Sequence, residues 1–378
     1  MMITSLAIAS LLSAHSVAPS PAALASAAGD HGKLSWFQGS FEEALAQAKA
    51  SNKLVFIDFW TTWCGWCKRL NKDTFSDDTV VAEMKDFVCL SIDADSKAGK
   101  PLAERFHVHR YPALILLAAD GTPEDSIGGY LAPDKFKKEI QRVRAGKGTV
   151  SGFKKQIAAD KTDLEARFQL AQKLQELGDD AGHDAQLAEI RKLDPDGKSL
   201  QLHRLAFDAV IARISAGWEK TKDVDTAAMA AFLEKETYPE LLFKGHAIMS
   251  QMHAYLAKQA EEAGDANAAK LHRADVRTSM KAAWKVVPES QLVEFGNSVA
   301  SAFYEARDAL APADKNFALE VSEKVVAAAK DNVTALELYA CCLYMNGRKD
   351  EAQKQMARCI ELDPKNDDWK DRLAEFQK

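Results

Sequence analysis

The chain has 378 residues, 47% hydrophobic and 28% charged, with a formal net charge of −6. That length implies roughly two or three domains, and the composition is that of an ordinary globular protein rather than a disordered or fibrous one. A charge so mild, with no dense Lys/Arg patch interleaved with aromatics, excludes a nucleic-acid-binding surface, and six cysteines in so long a chain do not make a disulfide scaffold.

Residues 1–28 read as a signal peptide. Ile3 to Ala14 is apolar and uncharged, and a run of small residues, Ala22 to Ala28, follows Pro19 and Pro21. Ala23-Leu24-Ala25 fits a peptidase site, with cleavage before Ser26. The n-region departs from the pattern, since it carries no Lys or Arg. The apolar run is too short to span a bilayer comfortably, and no cysteine follows it for lipid attachment. A disordered Ala-rich leader or a weak anchor is the alternative to export.

Residues 29–145 alternate strand and helix patterns. Leu34 to Phe37 is a short strand candidate. Ser40-Phe41-Glu42-Glu43 is a capping box opening a helix to about Ala50. Leu54 to Phe59 reads as a buried strand, and a helix follows from Cys64 to Leu70, continuing or bending at Asn71. Asp78 to Met84 is helical, Phe87 to Ile92 a strand, and Lys100 to Phe106 a short helix. Ala113 to Ala118 and Asp125 to Gly129 form a hairpin across Asp120-Gly121. Pro133 opens a last helix with Phe136, Ile140 and Val143 on one side. The result is a βαβ unit followed by a hairpin and a helix.

The glycines of residues 146–153 suggest a linker. Beyond it, 154–378 is helical in pattern and contains an internal echo. Leu170-Ala171, Gly178 and Leu193-Asp194-Pro195 recur in spacing as Tyr339-Ala340, Gly347 and Leu362-Asp363-Pro364. This spacing resembles the tetratricopeptide repeat. The second copy adds Leu336, Ala352 and Cys359 at packing positions; in the first copy His183 stands where Ala352 is expected. Ala263-Gly264-Asp265 is a third corner without the following proline. Degenerate helical hairpins stacked as a solenoid, behaving as one body and presenting a face to a partner protein, are the expectation.

The chemistry concentrates in Asp58-Phe59-Trp60-Thr61-Thr62-Trp63-Cys64-Gly65-Trp66-Cys67-Lys68. Two cysteines three apart at a helix start lie on nearly the same face and can close or open a small disulfide ring. The first sits among unpaired backbone N–H groups at the positive end of the helix, which stabilises its thiolate. That is a device for thiol–disulfide exchange. An inert disulfide or half a zinc site, with His107 and His109 as further ligands, are the alternatives.

Over about residues 34–145 the chain resembles the thioredoxin superfamily. Ile57-Asp58-Phe59-Trp60, Trp63-Cys64-Gly65-Trp66-Cys67-Lys68, Tyr111-Pro112 before an apolar strand, and Gly128-Gly129 before the last helix carry the likeness. Cys67-Lys68-Arg69-Leu70 and Thr74-Phe75-Ser76-Asp77 look most like secreted thioredoxin-like proteins and the soluble C-terminal domain of membrane thiol:disulfide interchange reductases. The resemblance implies an α/β thioredoxin fold, a central mixed sheet flanked by helices, joined here to an all-α repeat domain. It implies that Cys64 is the exposed nucleophile, that Cys67 resolves the mixed disulfide, and that Cys64–Cys67 is a redox-active disulfide. Asp58 would be the buried carboxylate beneath them, its pKa raised to exchange a proton with Cys67. Pro112 would be cis against the cysteines, the Tyr111 backbone would pair with an extended substrate, and Trp63, Gly65 and Trp66 would form the apolar rim.

Three departures from thioredoxin stand out. Trp66 replaces the usual proline between the cysteines; Cys89 takes the place of a lysine near the buried acid, which would bring a third thiol to the site; and Thr61-Thr62 precede Trp63. The implied function is that of an exported, periplasmic or otherwise extracytoplasmic, thiol–disulfide oxidoreductase. It would act on protein thiols and disulfides, need no metal or organic cofactor, and draw electrons from a membrane-side donor. The competing expectation is an adaptor whose repeats are the working surface and whose thioredoxin-like part is a binding module. Cys89 reads as a small buried hydrophobe, and Cys341, Cys342 and Cys359 as packing residues, with a disulfide from Cys341 or Cys342 to Cys359 as the alternative.

Overall fold

The computed structural model describes residues 31–221 and 224–377; the expected signal peptide lies outside the described residues. Two compact units divide the chain, the first ending at Asp196 and the second starting at Gly197.

The first unit is built on a four-stranded sheet in the order β2-β1-β3-β4, with β1 Leu54–Trp60, β2 Phe87–Asp93, β3 Ala113–Leu117 and β4 Pro123–Gly128. β1 runs parallel to β2 and antiparallel to β3, and β3 runs antiparallel to β4. β1 is buried on both faces, which is why it reads as an unbroken apolar run. Val55, Ile57 and Phe59 pack with Leu90, Ile92, Ile115 and Leu117 on one face. Phe56 packs with Leu114, Phe75 and Phe136 on the other. Each of these side chains, fully buried, contributes about 1.5–3 kcal/mol. Asp58 is the one charged residue of the strand and lies on the Phe56 side.

Helix α1 (Phe41–Ser51) starts on the capping box read from the sequence: the Ser40 hydroxyl accepts from the Glu43 N–H, and Glu43 accepts from the Ser40 N–H. Helix α2 (Gly65–Arg69) passes at once into a π-helical turn, Leu70–Thr74, which is the bend expected near Asn71. Helices α3 (Asp78–Glu83), α4 (Gly99–Arg105) and α5 (Pro133–Arg144) complete the layers, with Phe136, Ile140 and Val143 buried as read. The expected strand at Leu34–Phe37 is reduced to an isolated bridge between Trp36 and Cys89. Gly39 and the Ser40 cap turn the chain into α1 before a ladder can extend.

The expected linker is not one. Helix α6 (Val150–Ala159) begins inside it, capped by Thr149, whose hydroxyl accepts from the Gly152 N–H. Gly146 and Gly148 hold left-handed φ of 65° and 69°, and a Cβ on Gly152 would lie 1.8 Å from the Gly146 carbonyl oxygen. These glycines build a close-packed turn rather than a flexible tether. Helices α7 (Leu164–Glu176) and α8 (Asp180–Leu193) follow. Lys173 of α7 and Arg142 of α5 both bind the fully buried Asp125 of β4, at 2.8 and 2.6 Å. The Ser151 N–H donates to Glu124, and His107 packs so tightly on Gly178 that a Cβ there would clash. The helical region therefore does not behave as one body from 154, because its first hairpin is fastened to the sheet.

The second unit is all helical: α9 (Leu200–Thr221), α10 (Thr226–Leu233), α11 (Pro239–Glu262), α12 (Ala266–Trp284), α13 (Leu292–Glu305), α14 (Pro312–Ala328), α15 (Val333–Met345), α16 (Lys349–Leu362) and α17 (Asp368–Phe376). The echo noted in the sequence corresponds to the hairpins α7–α8 and α15–α16. Their corners are Gly178 and Gly347, at φ of 79° and 78°, and their inner small residues, Ala171 and Ala340, are both fully buried. His183, the departure in the first copy, is accommodated by a 3.0 Å hydrogen bond from its Nδ1 to the Ala171 carbonyl. No described helix is long and apolar enough to cross a membrane.

Candidate active site

Cys64 is the N-cap of α2, and Cys67 stands one turn in. Their sulfurs are bonded at 2.08 Å, with Cα atoms 5.3 Å apart. The Cys67 N–H donates to the Cys64 Sγ at 3.1 Å. The sulfur thus occupies the place of a capping oxygen, where backbone donors favour negative charge once the bond opens. Cys64 keeps 5% of its surface exposed and Cys67 only 2%, so the expected exposed nucleophile is nearly covered by its rim.

That rim is aromatic. Trp63 is 68% exposed and Trp66 55%. Trp63 Nε1 donates to Asp95 at 2.9 Å, and its ring meets Tyr111 edge-on. Trp66 stacks obliquely on Tyr130, with the Arg69 guanidinium against both rings. Arg69 and Tyr130 also share Asp73, whose carboxyl is held below its ordinary value first by the Arg69 hydrogen bond and then by that from Tyr130. Gly65 has nothing within 4 Å of where a Cβ would stand, so the rim is bare at that position.

Tyr111 packs against Trp60, Cys64 and Cys67, and the Tyr111–Pro112 peptide is cis. Trp66, Tyr111, Pro112, Gly129 and Tyr130 line a shallow cavity of about 290 Å³ beside the disulfide.

Asp58 is fully buried, and neither carboxylate oxygen has a hydrogen-bond partner. Burial alone raises its pKa from 3.8 to about 7. Trp60 Nε1, Thr61 Oγ1 and Asn71 Oδ1 are also buried without a partner. Such atoms each cost about 1–3 kcal/mol, and three of the residues that carry them, Asp58, Trp60 and Thr61, stand at the end of β1 just ahead of Cys64.

Cys89 is not beside this acid. It pairs in register with Phe56, and its thiol, pushed up to about 12 by burial, points to the Met84 carbonyl. The register partner of Asp58 is Ser91. Ser91 Oγ lies 3.3 Å from His31 Nδ1, and the His31 ring rests 4.7 Å from Trp60. His107 and His109 stand together with ring centroids 6.3 Å apart, and His107 is committed to the Gly178 corner. The sequence reading missed His31, Asp95, Arg69 and Tyr130. Arg69, inside the quoted Cys67-Lys68-Arg69-Leu70, Tyr130, directly after Gly128-Gly129, and Asp95, two residues past a strand end, stood where a local signal could have drawn attention; His31 did not.

Fold and site together define a thioredoxin-like domain with a Cys-x-x-Cys pair at disulfide distance. Residues 41–144 match the family model of the thioredoxin-like domain. The thiol:disulfide interchange protein DsbD of Vibrio vulnificus is 32% identical over 106 residues, covering 27% of this chain and 18% of that protein. The chain thus spans less than a fifth of that relative's length. A solution structure of a thioredoxin from Thermus thermophilus is 28% identical, with a TM-score of 0.27, covering 29% of this chain and 86% of that one. A thermophilic TPR protein, also of Thermus thermophilus, is 17% identical, with a TM-score of 0.28, over 57% of this chain and 98% of that one.

Proposed function

We propose that the protein is an extracytoplasmic thiol–disulfide oxidoreductase acting on protein substrates. The observation that carries this reading is the disulfide at the head of α2, joined to the buried carboxyl of Asp58, which has no hydrogen-bond partner and which the thioredoxin resemblance puts beneath the pair. In the reducing direction the Cys64 thiolate attacks a substrate disulfide, forming a mixed disulfide and releasing one substrate thiolate. Cys67, giving its proton to Asp58, then attacks the Cys64 sulfur. The Cys64–Cys67 bond forms, the mixed disulfide breaks, and the second substrate thiol leaves. The reverse sequence oxidises a dithiol. With a pKa near 7, Asp58 changes protonation state where such exchange operates. Trp63 and Trp66 offer apolar contact, and the cavity at Tyr111 and Pro112 suits an extended peptide lying against the loop.

The apolar leader and the likeness to an interchange protein support export and a membrane-side electron source, and the helical hairpins support docking to a partner protein. The test is a Cys67→Ser variant in cells. It should accumulate mixed disulfides through Cys64, while a Cys64→Ser variant traps nothing and reduces no insulin. Wild-type protein with no reductase, oxidase or isomerase activity on protein disulfides would leave an adaptor.

A further inference from the structure

In the second unit, the antiparallel helices α11 and α12 turn three metal-ligating side chains toward one point. His253 of α11 faces His272 of α12, and Asp275 lies one helical turn beyond His272. The two Nδ1 atoms are 3.3 Å apart, and the Asp275 Oδ2 lies 3.7 Å from one and 3.9 Å from the other. We propose that His253, His272 and Asp275 form a site for a divalent transition-metal ion of the Zn2+ type that clasps the α11–α12 hairpin.

The distances carry the argument. Zn2+ binds imidazole nitrogen at about 2.0–2.1 Å, so two donors on a tetrahedral ion sit about 3.3 Å apart. That is the separation of the two ring nitrogens. Hydrogen bonding alone does not account for the triad. One proton can serve the pair of nitrogens, but the carboxylate stays beyond hydrogen-bond distance of both. Three lone-pair donors from two helices converge with the carboxylate bonded to neither ring, and a cation would join all three. Two imidazoles with one carboxylate suit Zn2+, Co2+ or Ni2+ rather than Mg2+ or Ca2+, which prefer all-oxygen sets. The side chains are 12%, 26% and 41% exposed, so the ion can be reached from solvent and keeps a fourth position for water.

The experiment uses the full chain, stripped with chelator and kept oxidised so that Cys64 and Cys67 offer no thiolate. Zn2+ is followed by calorimetry and Co2+ by visible absorption. One ion should bind per chain with a dissociation constant in the low micromolar range or tighter. Co2+ should give d–d bands without thiolate charge transfer, and Zn2+ should raise the melting temperature. Asp275→Ala and His272→Asn should each weaken binding at least tenfold. If the histidine variant fails to fold, the half-exposed Asp275→Ala, together with the wild-type stoichiometry and spectrum, decides the matter. Absence of saturable binding, binding undiminished in Asp275→Ala, or a thiolate band showing that cysteines hold the ion would each overturn the proposal.

Discussion

The loop ahead of α2 and the hairpin α15–α16 each bring cysteines together, and they do opposite things with them. At the loop, sulfur caps a helix, the rim is bare at Gly65, and buried polar atoms at the end of the preceding strand lack partners. In the hairpin, Cys341, Cys342 and Cys359 are reduced, buried in apolar packing, and pushed up to about 12, 12 and 11 by desolvation. Neither disulfide considered from the sequence forms there. Residue type sets what a side chain could do, and its surroundings decide whether it does it.

The sharpest way to break that comparison is to count reactive thiols. In the reduced protein at pH 8, Cys64 should react readily with an aromatic disulfide reagent. Cys89, Cys341 and Cys342 should be about a thousandfold slower than unperturbed thiols, since a rise from 9.0 to about 12 removes that much thiolate. Unfolding of the first unit should release Cys89 and unfolding of the second Cys341 and Cys342, and fast reaction of any of them in the native state would erase the contrast.

Next in size is the burial of Asp58. Below pH 3.8 its carboxyl is protonated both folded and unfolded, and nothing is lost. Between pH 3.8 and about 7 only the unfolded chain ionises, so the native state loses ground, by up to about 4 kcal/mol above pH 7. Chemical denaturation of Asp58→Asn against wild type should therefore show a difference that grows in the variant's favour from pH 4 to pH 8. The inflection near pH 7 in the rate of disulfide exchange should vanish as well. A pH-independent difference would mean that the acid is solvated.

A smaller effect tests the fastening of the first helical hairpin. Lys173→Met removes one of the two cations on Asp125 and should cost about 2 kcal/mol in urea unfolding of the first unit, with exchange activity intact. The smallest change in stability, within about 0.5 kcal/mol, is expected for Trp66→Ala. Its signature is instead a rise of about tenfold in KM for a protein substrate with kcat little changed.

What the sequence made legible was local. The apolar run of β1, the capping box of α1 and the spacing of Cys64 and Cys67 each announce themselves within a few residues. The neighbours that complete the site do not. Ser91 meets His31 across 60 positions, Trp63 meets Asp95 across 32, and Lys173 meets Asp125 across 48. Polar pairs of this kind leave no periodicity to read. The glycines of 146–153 misled for a related reason, since composition alone does not distinguish a slack segment from one pressed against its own backbone. Cys89 misled because alignment by order assigns a position, whereas register assigns a neighbour, and here the two differ by two residues along the strand.

The clamp on Asp125 has a practical consequence. A fragment cut after Ala145 would strip Lys173 from a carboxylate that has no access to water, remove the α6 contact with β4, and leave that acid short of one of its counter-ions. A cut after Asp196 keeps the redox module with the three helices that brace it. The folding unit that carries the disulfide is therefore larger than its sheet, and a shorter excision would measure a destabilised one.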